Sequence, residues 1–401
     1  MGEELMGQTA GDRKIHDADS HIMEIDPTLD AWLDPELRGT ITGPVVQAST
    51  KGLDRDEARR LAADDEHRAA IERDVLGFKG WLAAGSFVKE DRPWALDLLG
   101  FTSQLVFTSV HLGPLRQSEV SGDLRLAYGV AAAHNRMMFD FCSVDDRLMP
   151  TVSVPLSDLD GAARFAQDAI DQGAAGLLLS SFCPPGHSIS HVGLDGVWAA
   201  AQEAQVPILF HLDSESTRFY NADYRNNGQA PVKDFVGGDN EMISTSFMTI
   251  NNPVTQNLAA LIIDGTLERF PDLRVGAIEL GASWMPGFMR LLDASATAFK
   301  RNEDRIRALS MKPSEYVQRQ VRVTPYPYEP AGWIIHNTGP DVCMFSSDYP
   351  HIEGTRNPIE RFDAALDEEA CTADERDAFY WRNYEDLLRG PLDRAAITVG
   401  A

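Results

Sequence analysis

Short apolar segments bounded by turn-forming residues alternate with stretches of helical periodicity along most of this 401-residue chain. Uniformly apolar segments are typical of strands buried on both faces, and their alternation with helices indicates βα units around a parallel sheet. Eight such units predict an α/β domain, the TIM (β/α)8 barrel. The predicted strands are Lys14–His21, Gln104–Thr108, Leu148–Val152, Ala174–Leu179, Pro207–His211, Val275–Glu279, Val321–Pro325 and Val342–Asp348.

Two long segments interrupt this alternation, each directly after a predicted strand. Residues 22–103 follow the first strand and show helical periodicity over Arg55–Leu76, and residues 213–256 follow the fifth. Because loops at the carboxyl ends of barrel strands carry active sites, we expect a helical cap and a lid; insertions without a function are the alternative. Residues 1–12 are expected to form a flexible arm, and residues 13–401 a single barrel domain.

Charge and composition exclude several classes of partner. A formal charge of −25 argues against nucleic acid, whose phosphates require a basic surface. No apolar run approaches the roughly 20 residues that span a membrane, and the N-terminus lacks the basic and apolar regions of a signal peptide. Four widely spaced cysteines favour reduced thiols, so we expect a cytoplasmic protein. The apolar stripe over Asp377–Leu388 predicts a final helix that packs within the chain or at a subunit contact, which leaves a homo-oligomer open.

Metal-competent side chains stand at the ends of four predicted strands. Asp19 and His21 are two residues apart, so on a strand they point to the same side. His211 ends the fifth strand, Glu279 the sixth and Asp348 the eighth. Each residue alone has a structural explanation, but mixed carboxylates and imidazoles at one end of a barrel are the ligands that divalent metals prefer. The sequence therefore predicts a metal centre there.

These motifs resemble the amidohydrolase-related family of aminocarboxymuconate-semialdehyde decarboxylase, and the similarity runs from Ile15 to about Leu388. The opening H-x-H or E-x-H pair of that family corresponds to Asp19 and His21, and its strand-five histidine to His211. Its S-D-x-P-H motif corresponds to Ser347–His351, with Asp348 as the expected ligand. The resemblance implies a metal-dependent-hydrolase type of barrel with a bound divalent metal.

The sequence departs from that family in informative ways. In the decarboxylases strand six ends in a histidine that serves as catalytic base beside one zinc or manganese, whereas this chain has Glu279. The fourth strand contains no lysine, so a carboxylated lysine cannot bridge two metals there. Glu279, together with the segment Asp19–Glu24, resembles the branch of TIM-barrel non-haem diiron monooxygenases. The metal ligands expected on this basis are Asp19, His21, Glu24, His211, Glu279 and Asp348, with Glu279 and His351 as catalytic residues.

Two enzymatic hypotheses follow. The favoured one is a diiron monooxygenase, since three carboxylates around one dication repel each other, and a second cation or one iron of higher charge would relieve that repulsion. It would use two irons, dioxygen and an electron donor to hydroxylate an apolar small molecule, of diterpenoid or acyl type and linked to coenzyme A as a thioester. The alternative is a hydrolase or non-oxidative decarboxylase with one zinc or manganese, in which Glu279 is a base or orients a histidine. A barrel that only binds a ligand is the non-enzymatic alternative.

Overall fold

The computed structural model describes residues 9–26, 28–41, 53–212, 223, 226–230, 235–236, 241–242 and 244–399. Seven parallel strands form one curved sheet in the order β1-β2-β3-β4-β5-β8-β9. They are β1 (His16–Ile22), β2 (Ser103–Thr108), β3 (Leu148–Ser153), β4 (Gly176–Leu179), β5 (Ile208–His211), β8 (Val275–Ile278) and β9 (Val321–Val323). Two short strands, β6 (Phe235–Val236) and β7 (Glu241–Met242), pair antiparallel outside this sheet.

An extended segment, residues 342–349, closes the sheet into a barrel. On one side its backbone bonds to β9, where Met344 N donates to Val323 O over 2.9 Å. On the other side it bonds to β1, where Ala18 N donates to Phe345 O over 3.1 Å and His21 N to Tyr349 O over 2.7 Å. The predicted (β/α)8 barrel is confirmed.

The eighth predicted strand, Val342–Asp348, differs in detail because it forms isolated bridges rather than a continuous strand. Part of its backbone bonds to the C-terminal helices instead of to a neighbouring strand. Phe345 N donates to Phe379 O over 2.8 Å, and Cys343 O accepts from the Asn383 amide over 2.8 Å. At its end Asp348 adopts a left-handed conformation with φ of 51°, which no strand residue adopts.

Helices connect the strands on the outside of the barrel. The described α-helices are α1 (Arg55–Ala62), α2 (Asp65–Arg73), α3 (Arg92–Leu99), α4 (Leu112–Val120), α5 (Leu124–Cys142), α6 (Ala162–Asp171), α7 (Asp195–Glu203), α8 (Ser244–Phe247), α9 (Asn252–Ile263), α10 (Thr266–Arg269), α11 (Met285–Phe299), α12 (Asp304–Ala308), α13 (Pro313–Gln320), α14 (Ala331–Thr338), α15 (Pro358–Glu368), α16 (Ala373–Asp377), α17 (Asn383–Leu387) and α18 (Arg389–Val399). A π-helical turn, Ala378–Arg382, joins α16 to α17. Among these described helices, none is long and apolar enough to cross a bilayer.

Apolar side chains fill the barrel interior and its amino-terminal end. Leu105 and Phe107 of β2, Leu209 of β5 and Ile278 of β8 are fully buried in one cluster. The same cluster includes Tyr384 and Leu387 of α17 and the following Leu388. The predicted final helix therefore packs against the amino-terminal end of the barrel. This apolar cluster therefore fills the amino-terminal part of the barrel interior, and the metal-competent side chains predicted from the sequence lie at the carboxyl end of the strands.

The insertion after β1, predicted as a cap, is anchored to the barrel by Arg92 of α3. This side chain is fully buried. Its guanidinium donates to the His21 carbonyl over 3.0 Å, to Gln104 Oε1 over 3.1 Å and to Gly85 O over 3.3 Å. Arg92 thus ties the insertion to the strand that carries His21.

Some predicted segments fall wholly or partly outside the described residues. This applies to residues 1–8 of the arm, to 27 and 42–52 of the cap, and to most of 213–243 in the predicted lid. Where the arm is described, Ala10 is buried and its amide donates to Leu99 O over 3.0 Å.

Candidate metal centre

Six carboxylate and imidazole side chains converge at the carboxyl end of the barrel, and all are almost inaccessible to solvent. Their potential ligand atoms form two overlapping groups, each with every atom within 4.8 Å of the others. His21 and Glu279 belong to both groups; Asp19 and His211 complete the first, and Asp348 and His351 complete the second. Buried charges at this density need a cation or protons to compensate them.

The register of the strands explains the first group. Asp19 and His21 lie on β1, and the Nε2 atom of His21 is 3.2 Å from Asp19 Oδ1. His211 ends β5 and pairs with Ile278 of β8, so Glu279 follows directly beside it. Glu279 Oε2 is 3.3 Å from His211 Nε2 and 3.8 Å from His21 Nε2. The sequence analysis predicted that these strand ends meet because the strands are parallel, and the observed register has this arrangement.

The orientation of both histidines fits metal binding. His21 Nδ1 lies 3.2 Å from Thr108 O, and His211 Nδ1 lies 2.8 Å from Leu212 O. A backbone carbonyl accepts only from a protonated nitrogen, so each ring carries its hydrogen on Nδ1 and presents a lone pair at Nε2. This second contact is the usual way in which proteins orient a metal-binding histidine. The donor set suits zinc or manganese.

Asp348 and His351 form the second side of the cluster. Asp348 Oδ1 is 3.5 Å from His21 Nε2 and 3.0 Å from His351 Nδ1. His351 Nε2 lies 2.7 Å from Ser109 Oγ, and its ring stacks on His21 with centroids 3.9 Å apart. Among the described residues, neither carboxylate oxygen of Asp348 accepts a hydrogen bond. A buried carboxylate with this much unused acceptor capacity fits a metal ligand.

The electrostatics of the cluster are strongly perturbed. Burial and, to a smaller extent, neighbouring Asp19 raise the pKa of Asp348 to about 8 against the opposing effect of His21. Burial also acts to raise the pKa of Asp19, but the close imidazoles of His21 and His211 hold it below its usual range. Two carboxylates in one site thus differ in how readily they ionise, as expected where like charges share a buried site.

A buried lysine from the insertion lies next to this cluster, and no sequence pattern indicated it. The Lys79 side chain is 7% exposed, and its ammonium makes no hydrogen bond with the described residues. Burial lowers the pKa of Lys79 to about 8, while the charges of Asp348 and Glu353 act to raise it. The adjacent Gly80 N donates to Pro350 O over 2.9 Å, which fixes this part of the insertion against the Asp348 segment. The chain itself therefore supplies a positive charge beside its carboxylates.

Glu24, predicted as a metal ligand, is not in either group. Its carboxylate accepts from the Thr108 hydroxyl, from Ser109 N over 3.2 Å and from Val110 N over 3.1 Å, and lies 3.3 Å from His111 Nδ1. Burial opposes ionisation, but His111 and Thr108 lower the pKa of Glu24 to about 2. The Glu24 carboxylate therefore lies against the loop after β2 and holds Thr108 and Ser109, which contact His21 and His351 through the Thr108 carbonyl and the Ser109 hydroxyl.

Comparisons with known proteins agree with this architecture. The amidohydrolase family model matches residues 55–390. Three crystal structures are similar over nearly their whole length. An amidohydrolase from Mycobacterium avium subsp. paratuberculosis has a TM-score of 0.69 at 18% identity, covering 94% of this chain and 99% of its own. A 5-carboxyvanillate decarboxylase from Novosphingobium aromaticivorans, complexed with manganese and 4-hydroxy-3-methoxy-5-nitrobenzoic acid, has 0.63 at 17%, covering 97% and 99%.

The third is a dihydroxybenzoic acid decarboxylase from Polaromonas sp., with bound manganese and the inhibitor 2-nitroresorcinol; its TM-score is 0.60 at 15% identity, covering 94% of this chain and 97% of its own. No curated protein sequence matches the chain significantly.

These relatives contradict the expected diiron monooxygenase, because the related structures with a stated reaction are decarboxylases and three of them contain manganese. The two irons, the coenzyme A thioester, dioxygen and the electron donor gain no support. Two features explain the error. The hypothesis assumed a second cation to balance the charge of three carboxylates, and the structure has the Lys79 ammonium next to Asp348. Glu24, the additional expected ligand, contacts the loop after β2.

The expected family is confirmed. Because the family model covers well over half of the chain and the fold is shared along its length, this chain belongs to the amidohydrolase family.

Proposed function

We propose that this protein is a metal-dependent, non-oxidative decarboxylase that acts on a small carboxylic acid with one divalent manganese or zinc. The observation that carries the proposal is the buried cluster in which histidine Nε2 atoms and carboxylates face one another at the carboxyl end of the barrel. Support also comes from similar structures described as decarboxylases with bound manganese.

In this proposal Asp19, His21, His211 and Asp348 hold the metal. When bound, the metal polarises and orients a substrate carboxylate as a Lewis acid. His351 Nδ1 lies 3.0 Å from Asp348 Oδ1, and the backbone carbonyls of Thr108 and Leu212 orient His21 and His211. The insertion contributes the Lys79 ammonium, which offsets part of the carboxylate charge near Asp348. With this positive charge, one divalent metal ion is enough to balance the remaining carboxylates.

Glu279 is the proposed proton carrier. Decarboxylation breaks one carbon–carbon bond: the carboxylate departs as carbon dioxide, and the bonding electron pair stays on the remaining carbon, which takes up a proton. Glu279 gives that proton and regains one from solvent, so no oxidant or reductant is required. Its position is fixed on both sides, because Glu279 N donates to Thr324 Oγ1 over 2.9 Å and the Tyr326 hydroxyl donates to Glu279 O over 2.7 Å.

A hydrolase is the second candidate, and it is favoured by the similarity to the mycobacterial amidohydrolase. The same residues would serve, with Glu279 removing a proton from water instead of delivering one to carbon. The two reactions differ in their products, so one assay separates them.

The test uses manganese-loaded protein under anaerobic conditions with a panel of carboxyl-labelled hydroxybenzoic acids. We expect release of labelled carbon dioxide and, in the reverse direction, exchange of a ring hydrogen of the phenolic product with deuterated water. Asp348→Asn should abolish both, whereas Glu360→Gln, in the first turn of α15, should leave them unchanged. Cleavage of amide or lactone substrates without any release of carbon dioxide would replace the decarboxylase by the hydrolase.

A further inference from the structure

A second group of metal-competent side chains lies among the outer helices, where the end of α14 approaches the turn between α15 and α16. It consists of His336 in the last turn of α14, Cys371 in the turn and Glu375 in α16. One potential ligand atom from each residue lies within 4.8 Å of the other two. These residues differ from those of the candidate metal centre at the carboxyl end of the barrel.

The local backbone holds Cys371 and Glu375 in place. Helix α15 is closed by a Schellman motif: Ala370 has a positive φ of 52°, and Cys371 N donates to Leu366 O over 2.9 Å. A capping box then starts α16, in which Glu375 Oε2 accepts from Thr372 N over 2.7 Å and from the Thr372 hydroxyl over 2.8 Å. Both contacts use Oε2, so the capping box leaves Glu375 Oε1 available.

The separations of the three ligand atoms match a tetrahedral metal site. His336 Nε2 lies 3.8 Å from Cys371 Sγ and 3.5 Å from Glu375 Oε1. Zinc binds sulfur at about 2.3 Å and nitrogen or oxygen at about 2.0 Å. In a tetrahedron these bond lengths put sulfur and nitrogen roughly 3.6 Å apart, and nitrogen and oxygen roughly 3.3 Å apart. The observed distances are close to these values, so one ion fits between the three atoms after small side-chain movements.

A further carboxylate lies on the opposite side of the imidazole. Glu369 Oε2 is 3.6 Å from His336 Nδ1, so it favours the tautomer that carries the hydrogen on Nδ1 and presents a lone pair at Nε2. Proteins commonly orient metal-binding histidines with a carboxylate in this position. Among the described residues, neither Glu369 nor Glu375 forms a salt bridge with lysine or arginine, and the nearby Arg376 pairs with Asp367. Their charge is therefore available to a cation.

We propose that His336, Cys371 and Glu375 form a second, reversible metal site that binds zinc, with Glu369 orienting His336. Thiolate and imidazole ligands favour zinc over manganese, so this site differs in preference from an all-carboxylate and histidine centre. The His336 side chain is 37% exposed and that of Glu375 21%, which gives water access to the fourth position of the tetrahedron. We expect the ion to exchange with solvent, to be lost on dialysis and, when bound, to link α14 to the α15–α16 turn. The inference is independent of the reaction proposed above.

The test uses cobalt(II) as a probe for the thiolate. Manganese-loaded protein is dialysed to remove weakly held ions and is then titrated anaerobically with cobalt chloride. Cobalt bound by a thiolate has a strong charge-transfer absorption in the near ultraviolet, whereas the candidate metal centre offers only carboxylates and imidazoles. We expect this absorption to saturate at about one cobalt per chain and to disappear when zinc is added.

Matched variants assign the signal to the cluster. Cys371→Ser should abolish the absorption, whereas Cys183→Ser, at an exposed cysteine, should leave it unchanged. Glu369→Gln should retain the absorption but weaken cobalt binding about tenfold, as is usual for loss of a group that orients a ligand. Glu368→Gln is its control, since Glu368 is the exposed neighbour in the last turn of α15.

Thermal unfolding gives a second measurement. With zinc at about a hundred times its Kd, we expect the Tm of the manganese-loaded parent to rise by about 3 °C and that of Cys371→Ser to stay unchanged. Absence of the charge-transfer absorption in the parent at excess cobalt would overturn the proposal. An absorption that persists in Cys371→Ser would overturn it as well, because another cysteine would then bind the ion.

Discussion

Glu279 and Asp348 share an uncommon backbone conformation and meet the same histidine. Both have a positive φ, 55° and 51°, immediately beyond the strand or extended segment that precedes them. Their carboxylates lie 3.8 and 3.5 Å from His21 Nε2. Non-glycine residues in left-handed conformations cost of order 1–3 kcal/mol and concentrate at functional sites. The two acids are therefore turned towards His21 at the expense of backbone stability.

The first prediction concerns this backbone strain. Glu279→Asn places a residue that tolerates the left-handed region at the same position and removes one of three crowded carboxylates. We expect the metal-free variant to unfold with a free energy about 1 kcal/mol higher than the metal-free parent. Urea denaturation of both proteins after chelation measures this difference. A less stable variant would show that the Glu279 side chain stabilises the apoprotein and that its φ carries no net cost.

A second prediction separates the two interpretations of Glu279. In the proposed function it carries a proton, and the metal is held by the other acids and histidines. Glu279→Ala should therefore retain close to the parental metal content while losing the release of carbon dioxide. Elemental analysis of the variant measures its metal content. His211→Ala is the control that we expect to lose the metal. Loss of the metal from Glu279→Ala would make this residue a ligand.

The comparison of sequence and structure shows which kinds of residue a pattern reveals. Asp19, His21, His211, Glu279 and Asp348 could be predicted to meet because each ends an apolar segment of a parallel barrel. Glu24 follows the last residue of β1 by only two positions, yet the chain has left the strand and its side chain contacts the next loop. Spacing in the sequence therefore predicts which side chains share a site only for residues within the strand.

Lys79 and Arg92 could not be predicted in the same way. Both lie in the insertion, where an exposed cation is the ordinary expectation. Their burial depends on tertiary contacts, such as the approach of Arg92 to Gln104 and His21. The expectation of two irons rested on the resemblance carried by Glu279 and on a charge balance that omitted Lys79, and the reaction favoured on that basis was wrong.

A third prediction concerns the anchor between the insertion and the barrel. Arg92→Met removes the donors that satisfy the His21 carbonyl and the Gln104 side chain in a fully buried site. We expect the free energy of unfolding to fall by about 3 kcal/mol, since buried acceptors lose charged donors. Chemical denaturation checks this value, with Arg59→Met as control because Arg59 is 57% exposed on α1. Equal effects of the two substitutions would show that Arg92 is not an anchor.

The fourth prediction is a dependence of stability on pH that comes from His134, a buried residue of α5. Burial lowers the pKa of His134 from 6.5 to about 4, partly opposed by its hydrogen bond with Asn135. Between these values the unfolded chain binds a proton that the folded protein does not, so stability falls as the pH decreases from 6.5 towards 4. The expected contribution is roughly 3 kcal/mol.

This contribution is measured as a difference between two proteins, which removes the effect of other groups that titrate in the same range. The free energy of unfolding of the parent should decrease more steeply from pH 6.5 to 4 than that of His134→Gln. Parallel pH profiles for the two proteins would contradict the lowered pKa of His134.

The number and kind of bound metal ions test the central claim most directly. The protein is purified after growth with iron, manganese and zinc all supplied, and its metals are quantified beside those of a His21→Ala, His211→Ala double variant. We predict about one manganese or zinc per chain in the parent, almost none in the double variant, and turnover without oxygen. Two irons per chain with consumption of oxygen, or unchanged metal content in the double variant, would contradict a single divalent cation held by this cluster.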